Sequence, residues 1–291
     1  MQNGIKKSEV EKIKKVEKYR IGFELDNKTW SFSSVNTYQT CPKCFYLTYL
    51  QDPPLLKEDN AFAQWGSLGH SIFERYANGK LELFELGSVY ENEYRGAVTA
   101  PFPPNKFVDL GESYFEKGKH YFENFDGFPD EWEILDSEKE IRLNIDGYEF
   151  MGFIDLIVRD KKTGEYIIVD HKSKSKFKDQ VERGEYARQL YLYSIFIKDK
   201  YGKYPSKLFF NMFRAENTVI IPFDEEELNR TVYWLKDTVE SIKKDEKFDD
   251  KITILFRKKK KPLKDFKKDD FYCNELCSVR SYCPRSKWFV E

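Results

Sequence analysis

The sequence has almost no net charge. Its 49 Lys and Arg stand against 50 Asp and Glu, which leaves −1 over 291 residues. Overall charge therefore says nothing for or against a nucleic-acid partner, and only local clusters can. No apolar run is long enough to span a bilayer, and the start, Lys6-Lys7-Ser8-Glu9-Val10-Glu11, is too charged for a secretory signal. The expectation is a cytoplasmic chain with no membrane partner. No Walker-type phosphate loop occurs, so no helicase or ATPase is expected within this chain. Internal repeats and low-complexity stretches are absent. Cysteine is scarce, at five residues. In a reducing compartment, clustered cysteines point to metal or redox chemistry before disulfides. Histidine is scarcer still, at three.

What is abundant is apolar and aromatic: 40% hydrophobic residues, with 25 Phe and 19 Tyr. Such a chain can bury a sizeable core, which excludes wholesale disorder. Its length suits one large domain or a domain with appendages. Residues 1–30 read as a charged, helix-compatible leader, 31–250 as the core, and 251–291 as a basic, then cysteine-rich, segment. Ser33-Ser34 is expected to cap one helix through Val35, Tyr38, Cys41, Phe45 and Tyr46, kinked at Pro42. Ala61 to Asn78 and Gly111 to Phe125 read as helices, with 80–110 irregular between them. Strands are expected from Trp132 to Leu143 and from Glu149 to Val158, joined by an Asp146-Gly147 turn. A third, Tyr166 to Val169, follows a turn at Lys161-Lys162-Thr163-Gly164. Then come a helix from Gly184 to Tyr201, strands Lys207–Arg214 and Thr218–Phe223, and a long helix capped by Asp224. The order predicts an α/β fold: a mixed sheet flanked by helices.

Asp170-His171-Lys172 is the most informative stretch. It ends the continuously apolar run Tyr166-Ile167-Ile168-Val169, so the strand is expected to be buried on both faces. Alternation puts Asp170 and Lys172 on one face and His171 on the other. Pairing with the preceding strand brings Asp155 near Asp170. Two carboxylates and a lysine at a buried strand end can hold a divalent cation and activate water against a phosphodiester. Solvated charges at a strand tip are the ordinary alternative. Burial weighs against it, because charges there are costly unless paired or metal-bound. Basic residues gather nearby as Lys172, Lys174, Lys176 and Lys178, and further on as Arg257-Lys258-Lys259-Lys260-Lys261. Each lysine alone is most simply a solvated loop residue; together they suit an approach to phosphates.

The pieces fall in a familiar order: Ser33-x4-Tyr38-x2-Cys41-Pro42 with Phe45-Tyr46, Gly66-x3-His70, Gly152-x2-Asp155, Asp170-x-Lys172, then Gln189-x3-Tyr193. In this the chain resembles the RecB-type branch of the PD-(D/E)XK nuclease superfamily, over roughly Ser33 to Pro284. The resemblance implies a restriction-endonuclease-like core and Mg²⁺- or Mn²⁺-dependent phosphodiester hydrolysis of DNA. Asp155 and Asp170 would be metal-binding carboxylates, His70 a further ligand, and the backbone carbonyl of His171 another. Lys172 would position the attacking water. Gln189 and Tyr193, one turn apart, would line the site, although Tyr193 also reads simply as core. Gly66 would leave room for something bulky over the His70 face. Glu138 or Glu140 could add a carboxylate. The implied substrate is single-stranded DNA or DNA ends, cut by an exonuclease in recombination, repair, phage replication or CRISPR adaptation, with a helicase, recombination or adaptation partner. An endonuclease, a partner-dependent subunit and a non-catalytic DNA-binding module are the alternatives.

Cys273, Cys277 and Cys283 form C-x3-C-x5-C, and Cys41 and Cys44 form an early CxxC. Some members of the branch, of the AddB and CRISPR-adaptation types, hold a [4Fe–4S] cluster with one early and three late cysteines. By that resemblance Cys41, Cys273, Cys277 and Cys283 would ligate a cluster joining the N- and C-terminal segments. The usual late spacing is C-x2-C-x5-C, so the first gap here is one residue longer. Cys44 is a rival ligand, and a four-thiolate zinc site is the alternative.

Overall fold

The computed structural model describes residues 7–248 and 270–290. The basic run Arg257–Lys261 lies outside them. A charged helix, α1 (Lys7–Asp26), leads into α2 (Phe32–Thr40) and α3 (Pro42–Tyr49). Next come α4 (Ala61–Ala77), α5 (Leu86–Ala97) and α6 (Leu110–Glu123). The rest mixes strands and helices: β1 (Trp132–Ile145), β2 (Tyr148–Asp160), β3 (Tyr166–His171), α7 (Gln180–Tyr201), β4 (Lys207–Met212), β5 (Asn217–Pro222) and α8 (Glu225–Lys244).

The five strands form one mixed sheet in chain order, β1-β2-β3-β4-β5. β3 and β4 are parallel and the other pairs antiparallel. A parallel pair needs a long crossover, and α7 supplies it. The expected mixed α/β sheet flanked by helices is present. Both tight turns of the β1-β2-β3 meander fall at the expected positions. Trp30 adds a short parallel bridge to Phe150, donating its N–H to Glu149 O at 2.7 Å.

One face of the sheet, with Phe150, Ile154, Ile168, Leu208 and Phe210, packs against α7, α8 and the α2–α3 pair. The other face meets a second, aromatic-rich core built from α4, α5 and α6. Each fully buried side chain of this size contributes about 1.5–3 kcal/mol. In α8, Leu228, Leu235, Val239 and Ile242 are buried on one stripe. Asp224 caps that helix through Glu226 N–H, and Glu225, Glu226 and Glu227 lie in its first turn and Lys243 and Lys244 in its last, which suits the helix dipole.

Two expectations are corrected. The single kinked helix is two helices, and the N-cap is Ser31, which forms a capping box with Ser34. The residue before a proline is driven out of the α region, and Cys41 is extended, with φ −158° and ψ 105°. It ends α2 and caps α3 through Cys44 N–H. Residues 80–110 are not wholly irregular. They hold a short 3₁₀ turn, Leu83–Glu85, and α5, which buries Leu86, Gly87 and Tyr90.

Candidate active site

β3 is buried from Ile167 to His171. Its end, the stretch of β2 around Asp155, α4 and α7 enclose a polar cluster. Asp170 is only 2% exposed. Lys172 Nζ lies 2.9 Å from Asp170 Oδ1 and 2.8 Å from Oδ2. The contact with Oδ2 is poorly aligned, so that buried oxygen has no hydrogen bond of good geometry. Lys172 also donates to Gln189 Oε1 at 3.3 Å, and Gln189 Nε2 donates to the Tyr193 hydroxyl at 3.1 Å. Tyr193 is buried and reaches the cluster because residue 152 is glycine: a Cβ there would stand 2.4 Å from the Tyr193 ring. Tyr193 is thus both core and part of the network. The sequence did not single out Tyr186 for the site, yet its ring lies 5.7 Å from Lys172 Nζ.

Asp155 Oδ2 accepts the His171 backbone N–H at 2.7 Å, which ties the two strands at the site. The same oxygen lies 3.4 Å from His70 Nδ1, and Glu138 Oε1 lies 3.6 Å from that nitrogen. Ligand atoms of His70, Glu138 and Asp155 all fall within 4.8 Å of one another, the one such group of His, Cys, Asp or Glu among the described residues. Of the two candidate glutamates, Glu138 joins; Glu140 is exposed and pairs with Arg142 at 2.8 Å. The β1–β2 register pairs Ser137 with Leu156 and Lys139 with Ile154, so Glu138 falls opposite Asp155. It does so with φ 47°, a left-handed backbone uncommon outside glycine.

His171 faces the other way, as alternation requires. Its ring stacks on Phe73 with centroids 4.0 Å apart. Nδ1 accepts from Asn211 Nδ2 at 3.0 Å, and Asn211 Oδ1 accepts from the Tyr121 hydroxyl at 3.0 Å. The room beside Gly66 is used by the protein itself: a Cβ there would meet Ser173 Oγ at 3.2 Å. No sequence motif announced Asn211 or Ser173, because both act through the packing of distant segments.

Electrostatics follow from crowding. Burial, then Asp170, pushes the Asp155 carboxyl up to about 7, against the pull of His70 and Lys172. Burial opposes the charge on His70, but Asp155 and Glu138 outweigh it and raise His70 to about 9. Burial likewise opposes the Lys172 charge, and Asp170 and Asp155 keep its pKa raised. Burial holds His171 well below its ordinary value, hence neutral. The cluster is a buried acid–base group with more carboxylate oxygens than protein cations. Its oxygen-rich donor set and the unaligned Asp170 Oδ2 fit a hard divalent cation.

All five cysteines are free and buried. Cys41, Cys44, Cys277 and Cys283 share one packed cluster. Burial, with Cys41 and Cys283 close by, raises the pKa of Cys273. Cys44 Sγ is 3.5 Å from Cys277 Sγ. The Arg285 guanidinium, 4% exposed, donates to Cys41 Sγ at 3.2 Å.

Residues 29–284 match the PD-(D/E)XK nuclease superfamily. The chain belongs to that superfamily, so its class is nuclease, a hydrolase expected to act on DNA. Members typically use Mg²⁺ or Mn²⁺, and the His70–Glu138–Asp155 group is a candidate acidic metal site. No curated protein matches the chain. No helix among the described residues is long and apolar enough to cross a membrane.

Proposed function

We propose that this chain is a metal-dependent deoxyribonuclease of the RecB-type branch, working as an exonuclease on single strands or DNA ends. The observation that carries this reading is the junction of Asp155, Asp170 and Lys172 at the buried end of β3, beside His70 and Glu138. Asp155, Asp170, His70 and Glu138 would hold Mg²⁺ or Mn²⁺, with the His171 carbonyl as a further ligand. The bound ion would supply Lewis-acid charge on the phosphate and a more acidic water. The protein does the rest. His171 N–H fixes the Asp155 carboxylate. Gln189, held by the Tyr193 hydroxyl, fixes the Lys172 ammonium, which orients the attacking water and stabilises charge growing on the phosphate.

Phe153 supports an unpaired strand as substrate. It lies two residues before Asp155 on β2 and is 47% exposed. Phe150, Gly152 and Ile154 alternate with it and are buried. An exposed ring beside a cleavage site is a platform for an unstacked base. Lys174, Lys176 and Lys178 would line the strand's approach. The biological setting we infer is cytoplasmic: recombination, repair, phage replication or CRISPR adaptation.

The domain reading follows: 1–30 a leader, 31–250 the nuclease core, and 251–291 a segment that completes a metal centre with Cys41. Five buried thiols drawn from both ends of the chain form a sulfur-only donor set, which suits a [4Fe–4S] cluster. A tetrahedral zinc site needs sulfurs about 4 Å apart on every side. One pair, Cys44 and Cys277, stands 3.5 Å apart, so a four-thiolate zinc site is the alternative. Cys41, Cys273, Cys277 and Cys283 are the proposed ligands, and Cys44, 3.5 Å from Cys277 Sγ, is the rival ligand.

The test is cleavage of end-labelled linear and covalently closed circular single-stranded DNA with Mn²⁺, Mg²⁺ or chelator, beside Lys172→Ala. Loss of the linear substrate alone, about 10²–10³-fold slower in Lys172→Ala, is expected. Cutting of the circle would make the enzyme an endonuclease. Binding without cleavage by folded protein would replace catalysis with a DNA-binding role.

A further inference from the structure

A cavity of about 430 Å³ opens on the sheet face away from Lys172, with the His171 ring in its wall. Its size falls within the range of small-molecule sites. Phe125, Phe128, Trp132 and Phe209 supply flat apolar walls. Asn217 and Thr218, at the start of β5, bring polar groups to the rim. Asn217 Oδ1 takes the Thr218 N–H at 2.9 Å, and the Asn217 amide nitrogen makes no hydrogen bond among the described residues. The charged groups lining the cavity are Asp126 and Glu216, with no lysine or arginine. That lining repels phosphate and selects an uncharged ring. Flat aromatic walls with amide and hydroxyl groups at the edge match a nucleobase, which stacks on its faces and hydrogen-bonds at its rim.

The cavity does not open straight onto the acidic cluster. His171 stands between, its ring on the cavity side and its backbone N–H on Asp155 Oδ2. Phe73 covers the ring at 4.0 Å, and Asn211 holds Nδ1 at 3.0 Å. We propose that this cavity is a second site, which takes one unpaired nucleobase against its aromatic wall and touches the metal-site carboxylate only through His171. The proposal rests on the nuclease reading for the source of its ligand. The base belongs either to a free nucleoside or to an unpaired strand, and its recognition is the same for both.

The experiment uses the full chain, with chelator present so that neither divalent cation nor cleavage contributes. Binding of the four deoxynucleosides is followed by tryptophan fluorescence and calorimetry, in wild type, Asn217→Ala, Thr218→Val, Trp132→Phe and Lys172→Ala. Asn217 and Thr218 are exposed, so their substitution leaves the core intact. The expected result is saturable binding of at least one nucleoside, about tenfold or more weaker in Asn217→Ala or Thr218→Val and unchanged in Lys172→Ala. Trp132→Phe keeps the flat wall, and with it the calorimetric binding, but loses the fluorescence change. Competition by a single-stranded oligonucleotide but not by its abasic form assigns the base to a strand. Competition by neither assigns it to a free nucleoside. The proposal is overturned if no nucleoside binds at millimolar concentration, if the rim substitutions leave binding unchanged, or if Lys172→Ala abolishes it. Because cleavage plays no part, an inactive enzyme would not mimic any of these results.

Discussion

Glu138 holds φ 47°, which costs a non-glycine residue on the order of 1–3 kcal/mol. That strain accompanies a carboxylate brought within 3.6 Å of His70. Glu138→Gly should therefore separate stability from site chemistry. Urea unfolding is expected to show a fold about 1 kcal/mol more stable, while Mn²⁺ affinity, read by paramagnetic resonance, falls severalfold. Equal loss of both would mean that Glu138 is simply structural. The pH dependence of metal binding has a definite sign. Asp155 is raised to about 7 and His70 to about 9, so below those values each holds a proton that an incoming cation must displace. Mn²⁺ affinity should rise from pH 6 to pH 9, with protons released to buffer in calorimetry. In His70→Ala the step due to His70 should vanish, leaving one due to Asp155, whose pKa rises further without the His70 charge. The sequence named His70, Asp155, Asp170 and Lys172 because motif spacing and strand alternation bear on them directly. It left Glu138 and Glu140 undivided, since only the local departure of β1 from regular backbone turns one inward.

At the scale of elements, the site is a contact between α7 and the β2–β3 pair, and Gly152 sets how closely they approach. Gly152→Ala would place a methyl 2.4 Å from the Tyr193 ring. Overpacking of this kind costs about 1–3 kcal/mol, and the displaced tyrosine would release Gln189 and then Lys172. The expected outcome is a lowered Tm together with a fall in kcat larger than any change in KM. A lowered Tm with normal kcat would remove Tyr193 from the chain of positioning contacts. Period and caps made most elements legible: the stripe of α8 and its Asp224, the Asp146-Gly147 turn, the buried run of β3. α5 was missed because its burial depends on α6, whose Gly118 lets Tyr90 approach so closely that a Cβ would stand 2.2 Å from the ring. The break at Cys41 was legible in principle from Pro42, but an interior proline can also kink a helix that continues.

At the scale of the whole molecule, cysteines of α3 and of the segment 270–290 meet although 233 positions separate Cys44 from Cys277. If they hold a cluster, its loss should loosen both ends at once. Cys283→Ser is expected to lose the visible absorbance and the roughly four irons per chain that a [4Fe–4S] centre carries, and to lower Tm, with hydrogen exchange rising in α3 and in 270–290 first. Stoichiometric zinc in place of iron would keep the staple and change the metal. The linear sequence determined the fold class and the members of the β3 end, because hydrophobic period and strand alternation are local consequences of residue order. It also limited the cysteines to two groups. That the two groups meet followed in the sequence from the family resemblance alone, and tertiary structure decided it. The α7 crossover brings Gln189 to Lys172, and the register of β1 brings Glu138 to His70. The seating of α6 against the sheet leaves a cavity with the His171 ring in its wall. Those meetings depend on distances between segments far apart in the chain, and no local pattern encodes them.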